Sequence, residues 1–372
     1  MKRKLWSILS VTLLAGSLLT GCGGAKQDSA APAAPTPSTE PPVAEVKMES
    51  ELIVAGNGAT VETLMKDKIF KLFNEKYPDV KLTYVSGVST DIVAKVKGQQ
   101  ASPQIDVAII EGGEQEKGRQ EGLWEPLTAD MIPNLSRVPS DLAMTENSGV
   151  TVNFTPMGIS YNSKVVQEKG LPVPTSWNDL ARPELKGNIT ITDVKSNFGR
   201  SALIMLSYAN GGSEKDMEPG FKQMETIAGY IPTFAKSAAQ LQQDLQSETA
   251  AYTTWTMARS LTQKAAGLPL EFVFPQEGGN IVPNVGVMIK GAKHPEAAKE
   301  FLNMILTDEV QKLYATDLYY NPATDVELPA DVAKTLEFDR SKVVNFDYEA
   351  IATSMPAWLD RYDKEISVKI GK

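Results

Sequence analysis

Along the chain, short apolar runs that end in glycine or polar clusters alternate with stretches whose apolar residues recur every three or four positions. Leu52-Ile53-Val54-Ala55 is one such run; it stops at Gly56-Asn57-Gly58, and Val61, Met65, Ile69, Leu72 and Phe73 follow at helical spacing. The pattern predicts strand, glycine loop, helix. Val80, Leu82 and Tyr84 alternate with Lys81 and Thr83 as in a half-buried strand, residues 89–99 are helix-like, and residues 105–110 read as a further buried strand. A second series begins near Val152. It has a strand-like stretch at 152–161 with Pro156 and Gly158 as interruptions, and a helix start at 174–180 with Ser176 and Asp179 spaced as a capping box. A strand follows at 188–193, then a long apolar helix opened by Ser196-Asn197-Phe198-Gly199-Arg200, a second capping box from Ser237 to Gln240, and a strand at 250–255. Alternating strands and helices predict an α/β class, a sheet covered by helices, and the two series predict two lobes.

The first residues follow a different rule. Lys2, Arg3 and Lys4 precede an apolar stretch at 5–18, shorter than the ~20 residues a membrane span needs, so residues 1–21 read as a signal peptide. Leu19-Thr20-Gly21-Cys22 resembles the bacterial lipobox, which makes Cys22 a lipid anchor. From Gly23 to about Pro42 the chain is mostly Gly, Ala, Pro, Ser and Thr, a composition with too little apolar surface to offset chain entropy, and residues 22–50 are expected to be a flexible tether. A lipid, an arm and a folded body describe an extracytoplasmic receptor held at a membrane, on the cell surface or in the periplasm.

Composition narrows the chemistry. With 372 residues the chain is long enough for two or three domains. Its 46 acids against 37 bases give a net charge of −9, which argues against nucleic acid as a partner. One cysteine, Cys22, and one histidine, His294, in a turn expected at the surface, leave no means for an internal disulfide, a Cys/His zinc site or a histidine-based triad, and no cofactor or metal is expected. Gly56-Asn57-Gly58 is not a dinucleotide fingerprint, because Val61 stands where the third glycine belongs. What remains is a turn at 57–60 with free backbone N–H groups, where Asn57 and Thr60 offer donors to a ligand. Glu111 and Glu277, each beside a Gly-Gly pair, are the acids an extracellular carbohydrate-active enzyme would use. No nucleophile elbow, P-loop or metal motif accompanies them, so the expectation is a protein that is not an enzyme. A tethered scaffold is a further alternative, one that predicts no cleft.

The collinear order of several stretches resembles the extracellular solute-binding proteins of ABC importers, specifically the group of the spermidine/putrescine receptors. These stretches are Phe73-Asn74-Glu75-Lys76-Tyr77-Pro78-Asp79-Val80, Asp106 to Ile110 with Glu121-Gly122-Leu123 and Pro126-Leu127, and Ile159-Ser160-Tyr161-Asn162. Pro174-Thr175-Ser176-Trp177-Asn178-Asp179-Leu180 with Pro183, Lys186-Gly187 and Asp193, Pro275-Gln276-Glu277-Gly278-Gly279, and the helix at 297–306 with Asp308-Glu309-Val310-Gln311 complete the series. The resemblance implies a type II periplasmic-binding-protein fold with the ligand cleft between its lobes. The first lobe is expected at 51–151 plus 282–321 and the second at 152–281 plus 322–372. It also implies a protein that closes on a small solute and hands it, unchanged, to a membrane permease, and a monomer is the default expectation.

Carried over residue by residue, the resemblance is selective. Tyr320 matches a ligand-contacting tyrosine, Trp255 lies within one residue of a ligand-stacking tryptophan, and Glu111 and Gly113 fall in the cleft loop after the third strand. The acids and aromatics that hold a polyamine are largely replaced: Gly56-Asn57-Gly58 stands where aromatics belong, Val194 and Asn197 where acids belong, and Val282 and Asn284 where a Trp and an Asp belong. Asn57, Thr60, Ser196, Asn197 and Asn284 would then offer donors, with Arg200 one turn beyond Ser196 to assist, and a neutral, zwitterionic or anionic solute suits them better than a long dication. Ferric-iron, thiamine or phosphonate binding within the same superfamily is the alternative. Iron asks for clustered tyrosines, whereas Tyr252 stands alone beside Thr253-Thr254, and Tyr319-Tyr320 is expected to pack at the hinge.

Overall fold

The computed structural model describes residues 47–371. The expected signal peptide, the Cys22 anchor and residues 22–46 of the expected tether lie outside the described residues. The end of that tether belongs to the folded body: Met48 packs on the first core, and the Glu49 carboxylate accepts the backbone N–H groups of Glu296 (3.3 Å) and Ala297 (2.9 Å). Among the described residues no helix is long and apolar enough to cross a membrane.

The first series folds as β1 (Glu51–Gly56), α1 (Ala59–Leu64) running through a π turn into α2 (Phe70–Lys76), β2 (Lys81–Ser86), α3 (Ser89–Gly98), β3 (Val107–Glu111), α4 (Gly112–Gln120) and the short β4 (Trp124–Glu125). Then come β5 (Val150–Asn162), α5 (Ser163–Lys169), α6 (Asn197–Tyr208), α7 (Glu218–Ala228), α8 (Ala238–Gln246), β6 (Tyr252–Thr256), α9 (Met257–Ala265) and β7 (Leu270–Val273). The chain returns through β8 (Ile281–Ile289), α10 (Pro295–Ile305), α11 (Asp308–Leu318), β9 (Asn321–Pro322), α12 (Ala330–Thr335) and α13 (Tyr348–Arg361). The sheet order is β2-β1-β3-β8-β5-β6, with β4 on β8 and with β7 and β9 on β5. β1 pairs in parallel with β2 and β3, and the remaining ladders are antiparallel.

Three expectations change. Pro156 and Gly158 do not interrupt their strand, because β5 changes partners there: it pairs with β8 as far as Pro156 and with β6 from Met157 onward. Proline thus falls at the end of one ladder, where its missing N–H costs nothing, and a Cβ on Gly158 would lie 2.3 Å from the Val273 carbonyl oxygen. The strand expected at 188–193 is absent; Ile189 and Thr192 make only isolated bridges to Tyr252 and Ala235. Its apolar pattern reflects burial of Ile189, Ile191 and Val194 in the second core rather than a ladder. Of the two capping boxes, the one at Ser176 is complete and caps a 3-10 turn (Trp177–Ala181). At Ser237 only the forward bond forms, since Gln240 turns its amide to Asp244 (2.7 Å).

Among the described residues the two largest hydrophobic cores are the basis of a two-lobed architecture, and a third gathers Ile92, Val96, Ile110, Trp124 and Val285. Of the two largest, one gathers Leu52, Val54, Ile69, Phe73, Val107 and Phe301; the other gathers Trp177, Ile191, Leu203, Met224 and Tyr252. β5 feeds both, with Val150 and Val152 in the first and Met157 and Ile159 in the second. The chain after β9 does not enter the second core at once. Ala323 and Phe338 pack with Leu142 and Phe154, Leu336 packs with Met257 and Ala315, and only from Val344 does the chain join the second core.

Candidate functional site

In the first lobe the C-terminal ends of the parallel strands are tied together by one hydroxyl. Ser89, at the start of α3, accepts the backbone N–H of Glu111 (3.1 Å) and donates to Asn57 Oδ1 (3.1 Å), while the Tyr84 hydroxyl donates to the Asn57 carbonyl (3.0 Å). The glycine that ends β1 follows from this packing: a Cβ on Gly56 would lie 2.5 Å from the Tyr84 hydroxyl. Asn57, Ser89 and Glu111 are therefore fixed relative to one another at one rim.

The facing rim is the N-terminus of α6. Ser196 caps it by accepting Gly199 N–H (3.2 Å) and is itself bonded to the Thr192 hydroxyl. Gly199 is required here, because a Cβ would stand 2.1 Å from the Asp193 carbonyl oxygen and 2.4 Å from that of Thr192. This places Asn197 so that its Nδ2 donates to Glu111 Oε2 (3.1 Å) while its Oδ1 accepts Arg200 Nη2 (3.2 Å). From α9, the Arg259 guanidinium lies over the Phe198 ring, 5.6 Å from its centroid.

Between the rims is a cavity of about 620 Å³. Of the residues singled out from the sequence, Asn57, Thr60, Glu111, Gly113, Ser196, Asn197, Asn284 and Tyr320 line it, as does Arg200. Trp255 does not. It is 1% exposed and part of the second core, because side chains alternate along β6 and the cavity receives its neighbour Thr256 instead. Sequence reasoning missed Arg259, Ser89, Lys195 and Lys236, which also line the cavity. Arg259 carried a usable signal: it occupies the first turn of α9, where the helix dipole disfavours a cation.

A family model described as bacterial extracellular solute-binding protein matches residues 68–339. The chain belongs to that family. This solute-binding protein is 25% identical over 245 residues to the spermidine/putrescine-binding periplasmic protein of Escherichia coli, covering 63% of this chain and 69% of the relative. It is 23% identical over 357 residues to iron uptake protein A1 of Synechocystis, covering 88% of each chain. The structure of the periplasmic binding protein AfuA from Actinobacillus pleuropneumoniae, with fructose-6-phosphate bound, superposes with a TM-score of 0.70 at 23% identity, over 86% of this chain and 99% of that one. Membership of that family fixes the general role of this one: it binds a solute and is not an enzyme.

Glu111 and Glu277 accordingly do not form an acid pair in this solute-binding protein. Glu111 lines the cavity, whereas Glu277 is bonded to the Ser176 hydroxyl and accepts Trp177 N–H (3.3 Å) at a helix cap. His294 lies in the expected surface turn, between exposed Lys293 and the start of α10, but its ring is engaged: Nδ1 is 2.8 Å from Asp106 Oδ2, and that carboxylate also accepts the backbone N–H groups of Ile53, Lys293 and His294. The Tyr252 hydroxyl is occupied by the Pro172 carbonyl (2.8 Å). Tyr319, at φ 57°, ends α11 in the left-handed conformation and packs with Met257 and Leu336, which turns Tyr320 toward the cavity.

Burial raises the Glu111 carboxyl above its ordinary range, opposed in turn by Arg259, the Asn197 hydrogen bond and Arg200, and reinforced by Glu114. Burial likewise raises the phenols of Tyr320 and Tyr348, the latter to about 12. Neither tyrosine is poised to ionise near neutrality.

Proposed function

We propose that this solute-binding protein captures a small solute carrying an anionic group and delivers it unaltered to its permease by closure of the two lobes. One observation carries the reading: among the described residues the arginine–carboxylate pairs involve Arg119, Arg137, Arg182, Arg340 and Arg361, which leaves Arg200 and Arg259, the two arginines on the cavity, without an acid partner. α3, α4, α6, α8 and α9 all begin at the same cavity, and each N-terminus favours an anion by ~0.3–1 kcal/mol. The loss of the family's polyamine-binding acids and aromatics agrees with this, and so does the phosphorylated sugar in AfuA, a neighbour in fold. The contacts fall to Asn57, Thr60, Ser196, Asn197, Asn284 and Tyr320, with Glu111 and Gly113 on the first rim. The lobes comprise 51–151 with 282–321 and 152–281 with 322–372, residues 152–156 and 322–343 being the stretches that pass between the two cores. The protein acts as a monomer, anchored outside the cytoplasmic membrane by lipid on Cys22 after removal of residues 1–21.

Titration calorimetry on the detergent-solubilised protein tests the solute class, with inorganic phosphate, ethylphosphonate, propionate, putrescine, thiamine and ferric citrate as probes. An anionic probe is expected to bind, and Arg200→Ala or Arg259→Ala to weaken it roughly tenfold or more. Putrescine binding more tightly than every anionic probe overturns the reading. Labelled palmitate should enter the wild-type protein in cells and not the Cys22→Ser variant.

A further inference from the structure

The same cavity that holds two arginines without a salt-bridge partner also holds acids with which they form no salt bridge. Glu111 and Glu114 both line it, and Glu114 Oε2 is a buried oxygen without a hydrogen-bond partner. Glu111 has one side-chain partner, the Asn197 amide, which stands between it and Arg200 as donor to the carboxylate and acceptor from the guanidinium. Opposite charges within one cavity ordinarily collapse into ion pairs. Here the Asn197 bridge to Arg200 and the seating of Arg259 over Phe198 keep both guanidinium groups out of salt-bridge range of these acids.

We infer that the solute is a small zwitterion, with its cationic group on Glu111 and Glu114 and its anionic group between Arg200 and Arg259. The inference rests on the anionic-solute reading and adds the second pole. A plain anion that took both arginines would draw their charge away from two carboxylates in a partly desolvated wall and leave them uncompensated. A dication would satisfy the acids and face two guanidinium groups. A charge-separated solute satisfies both walls, and Asn197 sets the spacing between its poles by fixing Glu111 against Arg200.

Matched pairs of probes isolate the second pole. We expect the detergent-solubilised full-length protein to bind β-alanine at least about tenfold more tightly than propionate, or 2-aminoethylphosphonate at least about tenfold more tightly than ethylphosphonate. Glu111→Gln, which retains an oxygen to accept from Asn197, should bring the members of the discriminated pair within about threefold of each other. Arg259→Gln should weaken both members alike; its near-ultraviolet circular dichroism, compared with wild type, confirms that each variant is folded. If the amine-free probes bind as tightly as their amino partners, the inference fails while the anionic-solute reading stands. If only putrescine binds, both fail. Binding by none of the four matched probes, or a Glu111→Gln variant that keeps the full preference, also overturns the inference.

Discussion

Asn197 donates its Nδ2 to Glu111 Oε2 at 3.1 Å, a hydrogen bond between residues 86 apart in the chain that joins the start of α6 to the end of β3. It spans the cavity, so on the proposed closure it is made with the lobes together and lost when they part. Asn197→Ala should therefore shift the ligand-free protein toward an open, larger form. Small-angle scattering should record an increased radius of gyration without ligand and a return to the wild-type value at saturation; identical ligand-free curves would remove this bond from the closure equilibrium.

Glu111 links the cavity to stability. Its folded-state pKa is raised above the unfolded value, so the folded form binds the proton more tightly, and this contribution favours folding at low pH and is lost as pH rises from the unfolded value through the folded one. Glu111→Gln should then melt at a higher temperature than wild type at pH 7, with the difference shrinking as pH falls below the ordinary carboxylate range. A constant difference across pH 3.5 to 7 would contradict the burial argument.

Asp106 is a structural acid. At 2% exposure it accepts Ile53 N–H (2.9 Å), Lys293 N–H (3.1 Å) and His294 N–H (3.2 Å), besides the His294 ring at 2.8 Å, and so ties β1 to the turn that leads into α10. Replacing it with alanine strands several buried donors. The expected loss is ~3 kcal/mol in urea unfolding, with ligand affinity of the folded fraction unchanged.

Gly199 serves the site through shape alone. Gly199→Ala forces a methyl into two carbonyl oxygens and must lift α6 away from residues 192–193. A stability loss of ~1–3 kcal/mol is expected together with weaker solute binding, since Ser196, Asn197 and Arg200 move with the helix. Unfolding and calorimetry read the two effects separately.

Trp255 is expected to behave as a core residue. Trp255→Ala should destabilise by ~3–5 kcal/mol, whereas Trp255→Phe, which keeps most of the apolar volume, should leave solute affinity at the wild-type value. A large affinity loss in a stably folded Trp255→Phe variant would return the residue to the site.

By itself the sequence determined the α/β alternation, the two series of elements, the chemistry that a single histidine and a single cysteine exclude, and most of the cavity's polar rim. Local physics writes these features: apolar spacing marks the buried face of an element, and Ser196 or Ser176 marks a helix start by the donors it satisfies. The tertiary structure alone decided what depends on facing and distance. Which side of β6 meets the cavity separates Thr256 from Trp255, the exchange of partners along β5 turns an apparent break at Pro156 into a crossing between lobes, and Glu277 becomes a cap rather than the companion of Glu111. Arg259 and Glu111 lie far apart in the chain, and their shared cavity arises only when two separately packed cores bring α9 and the end of β3 to the same cleft. Periodicity encodes whether a side chain is buried, while the identity of what it is buried against is a property of the whole fold.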